Sequence, residues 1–273
     1  MKKSMPELFI VFITLLSSCL LFSSSVMANS STPNQPNNSL SHEVTNSVIA
    51  IDIGHSVKKV GATSARGVGE FFFNQRLAKK LKKALQAEGF THAFLINPEG
   101  KPIKLKERTA LAAEKNAAVF VSIHHDSMQM QFLKEWQHEG KTLLHSEKFQ
   151  GYSLFISPKN KYAVTNRQLA NQIGTAFLEA GFTPTLHHAM PIKGENRTLL
   201  DKDKGIYAFP ELAVLRTATM PAILVECGVI LNRSEELKLN DPDYQDRIVH
   251  VLVRGIKQFL ITSTSNINTA QDQ

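Results

Sequence analysis

Cysteine is scarce in this 273-residue chain: Cys19 lies in an N-terminal apolar run, and Cys227 is the only other. Removal of that run would leave one thiol, which excludes an internal disulfide and leaves stability to packing. Tryptophan occurs once, as Trp136. No basic run is interleaved with aromatic residues, so nucleic acid is disfavoured as a partner although the net charge is +7 and the pI near 9.3. That balance points instead to another anionic partner, an acidic polymer or lipid. No internal repeat is found. With 42% hydrophobic and 20% charged residues, the composition is that of a soluble globular chain with a core of ordinary size.

The ends differ from the middle. Lys2 and Lys3 precede a largely apolar run from Leu8 to Phe22 and then "SSSVMANS". Val26 and Ala28 fit the small-residue positions before a cleavage point, so residues 1–28 read as an export signal. The run is short for a membrane span. The expectation is an exported protein, periplasmic or extracellular, with no stable membrane insertion after cleavage. "LSSC" at Leu16–Cys19 resembles a lipidation box, but apolar residues continue past it as "LLF"; lipoprotein anchoring through Cys19 is the lesser alternative. Residues 29–44, rich in Asn, Ser and Pro, read as a disordered linker, and 263–273 as a flexible tail. A single folded domain is expected over 45–262.

Within it, "SVIAIDI" (47–53), "HAFLI" (92–96), "AAVFVSI" (117–123), "GYSLFIS" (151–157) and "PAILVE" (221–226) read as strands. Phe73, Leu77, Leu81 and Leu85 mark an amphipathic helix from Glu70 to near Gly89. Further helices follow at "KERTALAAEKN", around Leu169, Ile173 and Phe177, and through Ile248, Leu252, Ile256 and Phe259. Strands alternating with helices predict an α/β fold, a single domain with a mostly parallel central sheet flanked by helices. In such sheets, chemistry collects beyond the carboxyl ends of the strands. His55 follows the first strand, His124 and His125 end the third, and Glu226 ends a late one.

Each of these residues alone has a structural reading: a turn histidine, an acidic residue at a helix start, a satisfied core histidine. Glu226 is harder to dismiss, since a carboxylate directly after "AILV" needs a partner or a function. Together they meet a chemical need. Zinc in a hydrolase takes three protein ligands, often two His and one Glu, and leaves a position for water whose pKa falls to about 7. A further carboxylate then takes the water's proton and passes it to the leaving nitrogen. His55, Glu70 and His124 would be the ligands of one zinc ion per chain, and Glu226 the acid-base group.

The motifs "IDIGHS…GATSARGVGE", "VSIHHD" and "MPAILVECGVILN" resemble the zinc-dependent N-acetylmuramoyl-L-alanine amidases (amidase type 3) of bacterial cell-wall turnover, over roughly residues 47–260. The resemblance implies zinc at His55, Glu70 and His124, a catalytic Glu226, and cleavage of the amide joining N-acetylmuramic acid to L-alanine in peptidoglycan or muropeptides. "HSVKKVGA" departs from the Gly-Gly and Asp that often follow the first histidine in the family, and Val229 replaces a common aromatic. Substrate affinity must come from the domain itself or from a partner such as an activator protein.

Two segments stay open. The stretch between Asp126 and Gly151 is long for a strand connection, and reads either as a lid or regulatory loop or as a packed excursion. The loop 186–207 carries His187, His188, Glu195 and Arg197, which read as a substrate rim or as an ordinary loop tied by an internal salt bridge; Arg216 is a further candidate substrate contact. Successive strand residues face opposite ways, so His124 and His125 cannot readily share one metal. Asp126 either orients a ligand or ends the strand. The alternatives to an amidase are a zinc carboxypeptidase or deacetylase acting on cell-wall material, and a non-catalytic wall-binding regulator.

Overall fold

The computed structural model describes residues 42–271, with side chains through 265. The expected export signal and most of the expected linker lie outside the described residues. In chain order the elements are α1 (His42–Thr45), β1 (Ile49–Ile53), α2 (Glu70–Ala87), β2 (Phe94–Ile96), α3 (Leu105–Glu114), β3 (Val119–Asp126), β4 (Lys134–His138), β5 (Lys141–His145), β6 (Ser153–Ile156), α4 (Ala163–Glu179), β7 (Thr198–Asp201), β8 (Ile206–Ala208), α5 (Ala213–Arg216), β9 (Ala222–Val229), α6 (Arg233–Asn240) and α7 (Pro242–Gln271).

Seven strands form one sheet in the order β2-β1-β3-β9-β6-β8-β7. Strands β2, β1, β3 and β9 run parallel, as do β6 and β8; β6 is antiparallel to β9, and β7 to β8. The mostly parallel α/β domain is therefore as expected. Alternation along the strands builds two cores. Ile49, Ile51, Ile53, Val119, Val121, Ile123, Ile223 and Val225 pack with buried residues of α2, α4 and α7. Ala50, Phe120, Ala222 and Leu224 face the other way, onto Ala112 of α3 and Val214 and Leu215 of α5. The same alternation carries His124 and Glu226 to the α3/α5 side and His125 to the α2 side.

Three boundaries differ from expectation. At the end of the expected linker, His42–Thr45 form a short helix and Val44 is buried in the larger core. It is an apolar residue in a largely polar stretch, and it has somewhere to go. Helix α7 runs on to Gln271, past the expected end of the folded unit at 262, with Thr262 and Ser265 hydroxyls donating to carbonyls one turn back. Strands β7 and β8 arise inside the turn-rich 186–207 segment, where four and three residues are too few to show a period.

The 127–150 segment folds as a hairpin, β4 against β5. Trp136 Nε1 donates to the Ala65 carbonyl at 2.9 Å, and Arg66 and Arg233 flank its ring. Leu133, Leu144 and Phe149 pack on Met128, Val229 and Leu231. Of the two readings, the packed excursion describes what is seen. Among the described residues no helix is long and apolar enough to cross a membrane.

Candidate metal centre

β1 ends at Ile53, and Gly54 turns the chain so that His55 adopts a positive φ of 67°. That conformation is uncommon for a side-chain-bearing residue. It is held by Arg108 of α3, whose guanidinium donates to the carbonyls of Ile53 and His55 while pairing with buried Asp52 at 2.7 Å. Ser122 Oγ donates to the other Asp52 oxygen at 2.7 Å. Glu70 opens α2 after extended Gly69 and donates its backbone N–H to Ala62.

These elements bring three sequence-predicted residues together. Glu70 Oε2 lies 2.8 Å from His55 Nε2, and Oε1 lies 2.9 Å from His124 Nδ1. One ligand atom from each of the three lies within 4.8 Å of the others. The backbone leaves room only because two glycines stand alongside. A Cβ on Gly54 would sit 2.4 Å from the His124 ring, and one on Gly61 would sit 2.4 Å from Glu70 Oε2. Burial opposes ionisation of Glu70, but hydrogen bonds and charge from His124 and His55 outweigh it and hold the carboxyl well below the usual range. Two imidazole nitrogens and an ionised carboxylate are the donor chemistry that zinc takes, so the residues present fit that ion.

His125 turns the other way. Its Nδ1 lies 2.7 Å from Asn74 Oδ1, and Asn74 Nδ2 donates to Glu70 Oε1 at 3.1 Å. Burial pushes the His125 pKa down to about 3, so the ring is neutral and Nδ1–H donates to Asn74. The doublet thus places one histidine in the triad and the other behind it, bracing Glu70 through Asn74.

Glu226 is the register partner of His124 across β3 and β9. Its Oε2 is buried without a hydrogen-bond partner. Burial, with the nearby charges of Asp126 and Glu70, raises its pKa well above the carboxylate range. A cavity of about 450 Å³ joins the triad and Glu226 to Asp126, His188, Glu195, Arg197 and Phe209.

The remaining expected contacts divide. His188, Glu195 and Arg197 line that cavity, with the Arg197 guanidinium 3.5 Å from the Phe209 ring centroid. An internal ion pair does tie the loop, His188 to Glu195 at 2.8 Å. His187 is buried, stacked on Phe149 at 5.0 Å, and Arg216 turns to Glu211 at 3.9 Å; neither is among the lining residues. Asp126 does not orient a triad member: its carboxylate bonds Ser127 N–H and His188. Sequence reasoning missed Asp52, Arg108 and Asn74. The one signal was Asp52 itself, a charge inside the apolar run "IAIDI", which demanded a buried partner.

The chain matches the family model described as N-acetylmuramoyl-L-alanine amidase (Amidase_3) over residues 49–258. It is 27% identical over 231 residues to the N-acetylmuramoyl-L-alanine amidase AmiC of Neisseria meningitidis serogroup B, covering 79% of this chain and 53% of that protein. The chain therefore spans about half the length of that relative. A Buchnera aphidicola relative is 26% identical over 234 residues, covering 79% of this chain and 95% of its own length. The solved catalytic domain of the amidase CwlV from Bacillus (Paenibacillus) polymyxa var. colistinus superposes with a TM-score of 0.58 at 26% identity, over 78% of this chain and 98% of that one. With the match spanning every strand from β1 to β9, the chain belongs to the N-acetylmuramoyl-L-alanine amidase family.

Proposed function

We propose that the protein hydrolyses the amide between N-acetylmuramic acid and L-alanine in peptidoglycan or muropeptides. His55, Glu70 and His124 would hold one zinc ion, with Glu226 as the acid-base group. The observation that carries this reading is the Glu226 carboxylate: buried at Oε2, without a partner, and side by side with His124 on the cavity wall. A structural carboxylate in that position would be paired.

A bound zinc ion would supply a Lewis acid for the scissile carbonyl and lower the pKa of water. The chain's own residues supply the rest. Glu226 Oε2 takes a proton from the attacking water and delivers it to the departing amide nitrogen. Asn74 and the His125 backbone N–H both donate to Glu70 Oε1 and fix its orientation. Arg197, stacked on Phe209 at the cavity edge, offers a planar cation to a stem-peptide carboxylate. Action on wall polymer requires export, for which residues 1–28 are the proposed signal; an activator protein is a proposed partner.

Mass spectrometry of products from defined muropeptides tests this directly. An amidase releases the intact stem peptide, stops on chelation and resumes with zinc. Shortened stems would mean a carboxypeptidase, and loss of acetyl groups a deacetylase.

A further inference from the structure

Asp126 turns its carboxylate away from the His55, Glu70 and His124 group. Its Oδ1 accepts the Ser127 backbone N–H at 2.8 Å. Two imidazoles converge on the other oxygen: His188 Nε2 lies 2.7 Å from Oδ2, and His187 Nε2 lies 3.4 Å from it. The ring centroids are 3.9 Å apart. Both rings are held from behind at Nδ1. Thr185 Oγ1 is 2.7 Å from that atom of His187, and Glu195 Oε2 is 2.8 Å from that of His188. Glu195 is braced in turn by Gln129 Nε2 at 2.9 Å. The three converging residues are 7%, 2% and 7% exposed, in the order Asp126, His187, His188.

An ion pair accounts for only part of this. His188 can donate to Oδ2, but buried His187 Nε2, 3.4 Å from the same oxygen and beside the Ser127 backbone, is then left without a well-formed hydrogen bond, an arrangement that folded proteins avoid. A cation among the three atoms satisfies both nitrogens and the oxygen together. The groups behind the rings are those that metal-ligating histidines use to fix tautomer and orientation: a carboxylate on one, a hydroxyl on the other. We propose that Asp126, His187 and His188 form a second divalent-metal site on the wall of the cavity that holds Glu226. Two imidazole nitrogens and one carboxylate oxygen select zinc, cobalt or nickel over magnesium or calcium. Asp126 and His188 border the cavity, which gives the ion a way in. The ion would join the end of β3 to the loop that carries Glu195 and Arg197, and so stiffen one side of the substrate opening.

This site goes beyond the amidase reading and does not depend on the first metal. The test is metal content of the full chain, stripped, loaded with excess zinc, desalted, and measured by mass spectrometry. Two zinc ions are expected in the wild type, and one each in His188→Gln and His124→Ala. Zinc should also raise the melting temperature of His124→Ala and leave that of the doubly substituted His124→Ala/His188→Gln chain unmoved. One zinc in the wild type, lost in His124→Ala and kept in His188→Gln, would overturn the second site and leave the first intact. Two zinc ions in His188→Gln would overturn it as well. One zinc lost in His188→Gln and kept in His124→Ala would support it while rejecting the first centre. Should His188→Gln fail to fold by circular dichroism, His124→Ala decides alone: one zinc supports the site and none overturns it.

Discussion

His124 of β3 and Glu226 of β9 are register partners on adjacent parallel strands, so an imidazole and a carboxylate enter the cavity side by side from the centre of the sheet. Neither depends on loop conformation for its position. Their roles nonetheless separate cleanly by substitution. Glu226→Gln keeps shape and removes the proton acceptor. It should retain zinc while peptidoglycan digestion falls by about 10²–10⁴-fold, the usual scale of a positioned acid-base group. Dye release from labelled peptidoglycan, paired with metal analysis, checks it; unchanged digestion at full zinc content would reject the assignment.

The histidine doublet gives a second separation. His124→Ala should abolish binding of zinc at the Glu70 centre. His125→Ala should keep most of it, because the His125 side chain touches Asn74 and Phe73 and not the converging atoms, and its backbone N–H to Glu70 is retained. Its cost falls on stability instead. Losing the bond to buried Asn74 Oδ1 should lower the unfolding free energy by about 1–3 kcal/mol. Zinc titration and urea unfolding of the two variants read the two effects independently. Equal loss of metal in both would show that the strand does not sort the pair.

Those strands were the legible part of the molecule. "AILVE" and "VSIHHD" are long enough to show burial, and alternation along the strand sends His124 and His125 to opposite faces; that Glu226 shares the face of His124 comes from the register of β9 on β3. β7 and β8 were not legible, because four and three residues carry no period. The triad could be inferred because zinc chemistry asks for a short list of donor types that two strand ends and a helix start supply. The bond between Asp126 and His188 spans 62 residues, and no local pattern announces it. Arg108 was hidden for the same reason: it looks like an ordinary helix residue until the fold sets it 2.7 Å from Asp52. Trp136 and its hairpin could be read either way, since packing on Ala65 and the Val229 cluster depends on partners distant in sequence.

A methyl group on Gly61 should disturb the metal centre directly. Its φ is +79°, and a Cβ there would meet Glu70 Oε2 at 2.4 Å and the His55 ring at 2.6 Å. Left-handed backbone strain costs about 1–2 kcal/mol for alanine. Gly140→Ala supplies the control, because its φ is +73° and no atom lies within 4 Å of the added Cβ. Both variants should lose comparable stability, and only Gly61→Ala should lose zinc affinity, by about tenfold or more for a displacement costing upwards of about 1.4 kcal/mol. Isothermal titration with zinc distinguishes them; matching affinities would mean that the centre relaxes around the clash.

Glu235 sets a pH dependence of stability. It is buried, and its carboxylate accepts backbone N–H bonds from Gly151 at 2.9 Å and Val229 at 2.9 Å. Burial raises its pKa from 4.5 to about 7, against the opposing pull of those bonds. Between these values the native state binds the proton more tightly than the unfolded chain does. Its contribution is therefore full below about pH 4.5 and is lost as pH rises through about 7. At about 1.4 kcal/mol per pKa unit, the loss is on the order of 3 kcal/mol. Glu235→Gln cannot titrate, and the other ionisable groups are common to both proteins. The difference in unfolding free energy, wild type minus variant, should therefore fall steadily from pH 4.5 to 8. Urea unfolding across that range measures it, and a flat difference would place the Glu235 pKa near its ordinary value.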